Sequence, residues 1–146
     1  MRIIGYSLLL LALSSCQTLF SAIYQEPTIE FKNLSLKSID LSGFDLQADF
    51  EVFNPNSNVL SLGQIEYEFL VGDKSLFRGK KMESTTLTAK EKSILSIPFR
   101  ITFESSTEAF KEVFINKTRN YKFSGKADIS PFSIPFSHRG DLPKGI

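Results

Sequence analysis

A single histidine, His138, and a single cysteine, Cys16, are all that this 146-residue chain offers for imidazole or thiol chemistry. A Ser/His/Asp arrangement would have to use His138, whose sequence neighbour is Ser137. Successive residues of a strand point to opposite faces, so these two do not meet simply. One histidine also excludes a two-histidine metal site. His138 continues the phase of Phe132, Ile134 and Phe136, which predicts a partly covered residue at a strand end. Carboxylates are more numerous. Asp45, Asp49 and Glu51 share the outer face of one expected strand, and Glu66 and Glu68 are expected on its neighbour across the intervening turn. A hard cation such as calcium could bridge oxygen ligands placed in that way. Like charges facing each other across strands are mildly destabilising and are usually offset by lysines, so a solvated polar face without metal is the expectation. Neither a Gly-x-Gly-x-x-Gly nor a Walker-type spacing occurs, and no cofactor is expected.

Cys16 closes Leu13-Ser14-Ser15-Cys16, directly behind the apolar run Leu8 to Leu13, with Arg2 near the start. A basic start, a short apolar core and small residues before a cleavage point are the parts of a secretory signal peptide. The stretch Ile3 to Leu13 is about eleven residues, against roughly twenty for a spanning helix, and it lacks the polar face of a buried amphipathic one. The arrangement resembles the bacterial lipoprotein signal, with Leu at the third position before the cysteine. That resemblance implies cleavage before Cys16, which would become an acylated first residue bearing a thioether-linked diacylglycerol and no free thiol. The expected organisation is a signal peptide at 1–15, a lipidated N-terminus and tether at 16–27, and one domain at 28–146. Gln17, where Asp is absent, implies an outer-membrane location facing the periplasm if the organism has an outer membrane. The lone cysteine leaves no internal disulfide, so stability must come from the core.

Hydrophobic residues at 42% and charged residues at 23% are ordinary for one globular domain. The aromatic set is 14 Phe and 4 Tyr without Trp. The formal charge is +1, and removing Arg2 with the leader brings it near zero, which argues against nucleic acid as a partner. Arg78, Lys80 and Lys81 form the basic cluster, a candidate contact for anionic headgroups or simply a solvated hairpin. Asn33-Leu34-Ser35 and Asn116-Lys117-Thr118 fit glycosylation sequons, which a bacterial envelope protein is not expected to use.

Alternation at period two dominates from Thr28 onward. Phe44, Leu46, Ala48, Phe50 and Val52 alternate with Asp45, Gln47, Asp49 and Glu51; Leu95 to Phe103 repeat the pattern, with Pro98 outward, as expected of an edge strand or bulge. Ile65, Tyr67, Phe69 and Val71 lead into Gly72-Asp73, a hairpin signal, and a short return through Leu76-Phe77. Further strands are expected at Tyr121 to Ile129 and Phe132 to Phe136. In the first strand the phase changes twice, between Ile29/Phe31, Leu34/Leu36 and Ile39/Leu41, which predicts bulges, a bend or a switch between sheets. Ser105-Ser106-Thr107-Glu108 has capping-box form and predicts one helix from Ser106 to Asn116, its Phe110/Phe114 stripe packed as core. About seven strands with one late helix predict an antiparallel immunoglobulin/fibronectin III-like β-sandwich.

Between the first two regular strands stands Phe53-Asn54-Pro55-Asn56-Ser57-Asn58. Pro55 ends ladder pairing, the residue before a proline is held extended, and Asn56 tolerates left-handed backbone. Read alone this is a turn. In context, an Asp-rich strand entering Phe-Asn-Pro-Asn, then Val59, Leu60, Leu62, Gly63 and Ile65-Glu66-Tyr67-Glu68-Phe69, resembles the type 2 late embryogenesis abundant family, also called the water stress and hypersensitive response domain. The resemblance spans roughly Ile29 to Leu142 and includes the helix and the Gly125-Lys126-Ala127 strand after it. It implies a seven-stranded sandwich with one helix, a role in tolerance of desiccation or related stress, and no family-wide catalytic site. The expected function is therefore that of a non-enzymatic lipid-anchored envelope protein, in contact with the membrane through its anchor. The alternative is an envelope interaction module that binds another exported protein or polymer by a sheet edge, with Pro98 marking the edge.

Overall fold

The described residues fold into seven strands: β1 (Thr28–Asp40), β2 (Gly43–Phe53), β3 (Leu60–Val71), β4 (Lys74–Leu87), β5 (Lys92–Thr102), β6 (Asn120–Ser130) and β7 (Phe132–Asp141). The structure is a computed structural model that describes residues 24–104 and 107–146. The expectations for the leader, for Cys16, for the tether up to residue 23 and for Ser105 and Ser106 lie outside the described residues. Every ladder is antiparallel, in one sheet of order β1-β2-β5 and a second of order β4-β3-β6-β7. The two sheets pack face to face as an immunoglobulin/fibronectin III-like sandwich.

The inward rows make the core. Phe44, Leu46, Ala48, Phe50 and Val52 are all buried, opposite Ile65, Tyr67, Phe69 and Val71 from the other sheet. Rings dominate the contact between sheets: Phe50 lies 4.9 Å from Phe136 and 5.6 Å from Phe123, and Phe69 lies 5.2 Å from Phe99, within the range of favourable ring pairs. The large ring count and absent tryptophan thus describe a core filled by phenylalanine.

The irregular first strand carries register shifts between Phe31 and Asn33 and between Leu36 and Ser38, at the two phase changes of its sequence. It stays paired with β2 throughout, so the shifts are bulges and not a passage to the other sheet. Gly63 marks a further bulge in β3, which moves the inward phase from Leu60/Leu62 to Ile65/Tyr67. At the β3–β4 hairpin Val71 pairs with Lys74 and Gly72 takes φ +60°, the positive angle that the first of two loop positions requires in a II′ turn. Pro98 is exposed on β5, an edge strand, where its missing N–H breaks no ladder. The return strand is far longer than the sequence suggested. β4 is also an edge, and most of its positions, such as Ser84, Thr85 and Thr86, are exposed and polar, so no alternation announces it.

The late helix is corrected in its character. A short α1 (Thr107–Phe110) continues as a π-helical turn (Lys111–Ile115) closed by Asn116 N–H to Lys111 C=O at 2.8 Å. The wider turn shifts the helical phase. Val113 becomes the core residue, while Phe110 and Phe114, expected as core, remain 45% and 38% exposed. Their rings pack on each other at 5.2 Å and each on Phe103 at 5.5 Å.

Candidate functional site

Asn54-Pro55-Asn56 joins the two sheets, since β2 and β3 belong to different ones. Pro55 has no N–H to donate, which suits a segment that must leave the ladder. Both asparagines are buried, Asn54 fully and Asn56 to 5% exposure, and both are satisfied. Asn54 Nδ2 donates to the carbonyls of Asn58 and Leu87, both at 2.9 Å. Its Oδ1 accepts from Asn56 N–H and from Asn56 Nδ2, both at 3.0 Å. Asn56 Nδ2 also donates to Gln25 C=O at 2.7 Å, and Asn56 Oδ1 accepts from Gln25 N–H at 2.6 Å. Backbone bonds complete the join: Asn54 N–H to Glu91 C=O and Lys90 N–H to Asn56 C=O, both 3.1 Å, with Lys90 at φ +60°. The segment is therefore more than a local turn. It ties the β2–β3 crossing, the β4–β5 loop and the N-terminal segment into one buried amide network. Gln25, Lys90 and Glu91 were missed as members because their backbones, not their side-chain types, do most of the bonding.

The expected adjacency of the carboxylates is corrected. Asp45, Asp49 and Glu51 lie on β2, whose neighbours are β1 and β5, whereas Glu66 and Glu68 lie on β3 in the other sheet. The Asn-Pro-Asn segment crosses between sheets and does not close a hairpin, so the two rows cannot converge. Each row is matched to cations across its own strands. Glu51 meets Lys92 at 2.8 Å and Lys32 at 3.2 Å; Asp45 meets Arg100 at 2.7 Å; Glu68 meets Arg78 at 2.8 Å and Glu66 meets Lys80 at 3.6 Å. Asp49 accepts from Ser96 Oγ at 2.6 Å and from Gln47 Nε2 at 2.8 Å. The Lys92 hydrogen bond, joined by Lys32, holds the Glu51 carboxyl below its ordinary range. A hydrogen bond from Ser75 and then one from Arg78 do the same for Glu68. Two members of the expected basic cluster, Arg78 and Lys80, are thus already paired, and Lys81 donates to Ser96 C=O at 3.3 Å. Among the described residues no group of three or more potential metal ligands forms.

Asp40 was not singled out, yet it organises the β1–β2 hairpin. Its Oδ1 accepts from Ser42 N–H at 2.7 Å and Ser42 Oγ at 2.6 Å, and Arg100 bonds both its oxygens at 2.8–2.9 Å. The Ser42 hydroxyl first, then the Arg100 guanidinium, hold its carboxyl well below the usual carboxylate range. The Asp40-Leu41-Ser42-Gly43 turn was the available signal. His138 is half-buried and stacked on Phe31, with ring centroids 3.6 Å apart and planes 9° from parallel. Burial lowers its pKa, which favours the neutral ring. A groove of about 720 Å³ crosses β4, β3, β6 and β7 and is lined by the Glu66/Lys80 and Glu68/Arg78 pairs with Ser124, Lys126 and Pro135. These arrangements position, neutralise and pack.

Together they define a β-sandwich of three and four strands whose most elaborate polar feature is a buried structural clasp between its sheets. The chain belongs to the late embryogenesis abundant protein family (LEA_2), whose pattern residues 49–140 match, more than half of its length. No curated protein matches the sequence. Among solved structures, one from Arabidopsis thaliana is similar with TM-score 0.66 and 22% identity, covering 84% of this chain and 86% of its own. Another, described as a late embryogenesis abundant (LEA) protein, gives TM-score 0.62 and 18% identity over 94% of this chain and 84% of its own. A β-glucuronidase from Bacteroides uniformis contains a comparable sandwich at TM-score 0.53 and 15% identity, covering 78% of this chain but 14% of the enzyme. At such identities these likenesses describe the fold.

Proposed function

We propose that this chain is a non-enzymatic, lipid-anchored envelope protein that protects against water stress. The observation that carries the proposal is the family membership of residues 49–140. The geometry supports a mode of action. The domain is a packed sandwich, so it acts through a preformed surface and not by folding as it dries. The outer rows of β2 and β3 set their carboxylates against a lysine, arginine or hydroxyl, which leaves a polar, self-neutralised surface that stays hydrated without gathering counterions. Cys16, acylated as the lipoprotein-like leader implies, holds that surface at the membrane, and two or more acyl chains anchor stably where one does not.

The test is protection of a drying-sensitive enzyme by the protein through dehydration and rehydration. The expected result is more recovered activity than an equal mass of serum albumin gives; recovery no better than albumin overturns the proposal. A second reading, an interaction module, is favoured by one feature: β5 is a sheet edge that exposes Ile94 on the same outward row as Pro98. One stoichiometric partner recovered by crosslinking in the native envelope supports the module, and dehydration-induced expression without such a partner supports stress protection.

A further inference from the structure

Residues 24–27 do not hang from the domain. Tyr24 packs against the core and Pro27 is buried. Between them one side chain holds the main chain of Gln25, accepting from its N–H at 2.6 Å and donating to its C=O at 2.7 Å. A carboxamide that bonds both groups of one residue reproduces the paired bonds of an antiparallel ladder. That side chain, Asn56, is buried and aimed by its bond to Asn54 Oδ1, and Asn54 is fixed in turn by the carbonyls of Asn58 and Leu87. Gln25 itself is exposed, so the grip reads main chain and not side-chain identity.

We propose that Asn56 is the docking site for the N-terminal segment of this chain, and that clasping the segment at Gln25 sets how far the domain can stand from its lipid. The docking half is independent of the anchor; the stand-off half rests on the lipid-anchor reading above. From Cys16 to Tyr24 there are eight residue steps, a reach of at most roughly 28 Å at about 3.5 Å per residue. With residues 24–27 released as far as the start of β1 at Thr28, twelve steps away, the limit rises to roughly 42 Å. The clasp thus removes about a third of the reach. It also fixes the end from which the tether departs. Asn56, Lys90 and Pro131 share that end, whereas the β1–β2 turn at Leu41 and the ring cluster of Phe103, Phe110 and Phe114 belong to the opposite one.

Amide-resolved hydrogen exchange on the full lipidated chain in detergent micelles tests the clasp. Asn56→Ala is expected to speed exchange at Gln25 at least tenfold relative to β3 and β6 amides. Asn56→Asp keeps the acceptor of the Gln25 N–H but turns a second oxygen toward Gln25 C=O and Asn54 Oδ1, so a smaller loss of protection than in Asn56→Ala is expected at pH 7, with recovery relative to the β3 and β6 amides toward pH 4 where the protonated carboxyl donates again. Gln25→Ala is expected to stay within twofold. Exchange at Gln25 in the wild-type chain as fast as in an unstructured peptide overturns the proposal even if Asn56→Ala does not fold, and so does a tenfold rise in Gln25→Ala. The anchor is read separately by fractionation. Cys16→Ala protein released from membranes supports the anchor on which the stand-off half rests, and its retention there overturns that half alone.

Discussion

Replacing Asn54 by alanine removes a side chain that makes four hydrogen bonds from a fully buried position. Asn58 is exposed and its carbonyl recovers a partner from water. The other three bonds involve buried neighbours, Leu87 and Asn56, whose carbonyl, N–H and carboxamide each lose one hydrogen bond. At about 1–1.5 kcal/mol for each such loss, Asn54→Ala is expected to cost roughly 3–4.5 kcal/mol, a large share of a typical domain stability of about 5–15 kcal/mol. Asn54→Asp is nearly isosteric but turns an oxygen toward the carbonyls of Asn58 and Leu87. Burial and those carbonyls raise its folded pKa above the unfolded value, so relative to wild type it is least harmful below about pH 4 and worsens as pH rises toward 7. Urea unfolding at 25 °C, followed by tyrosine fluorescence and far-UV circular dichroism, supplies both numbers. A loss under 1 kcal/mol for Asn54→Ala with an unchanged slope would refute the claim that this motif is a structural clasp.

The corrected helix predicts a contrast: Phe123→Ala, in the centre of the core, should cost about 3–5 kcal/mol, and Phe114→Ala, half-exposed at the sandwich end, about 1 kcal/mol or less, as urea midpoints will show. A methyl added at Gly125 meets Glu66 C=O at 2.2 Å and the Phe136 ring at 2.5 Å, so Gly125→Ala should lose about 1–3 kcal/mol or more in the same assay. Glu51, Glu68 and Asp40 have folded pKa values below their unfolded ones, so their contribution is present above about pH 4 and disappears as pH falls through the lower folded values. His138, lowered by burial, takes its proton first in the unfolded chain and begins a shallower decline below about pH 6.5. The thermal midpoint should therefore fall gently from about pH 6.5 and steeply below about pH 4, and His138→Phe should remove the first phase.

The sandwich was legible because its inward rows alternate with charge: Phe44 to Val52 could hardly be anything but a half-buried strand, and the two phase slips of β1 became two bulges. Beyond its start at Leu76-Phe77, β4 was not legible, because an edge strand with few inward apolar positions has no period to read. The helix was legible as a helix, but not its π turn, which depends on tertiary fit around Val113. At the motif, the residue types announced a turn. That Asn54 and Asn56 are buried, and that they reach Leu87 and Gln25 more than thirty residues away, depends on loops brought together only by the topology. The carboxylate rows misled for the same reason, since proximity in sequence across Asn-Pro-Asn conceals a change of sheet.

Survival after drying in the native host measures the central claim most directly. A strain lacking this chain should lose viability on drying and under osmotic shock. The wild-type gene should restore viability, and a Cys16→Ala copy expressed at equal level should not. Undiminished survival of the deletion strain would contradict the protective role, and full rescue by Cys16→Ala would contradict the requirement for anchoring.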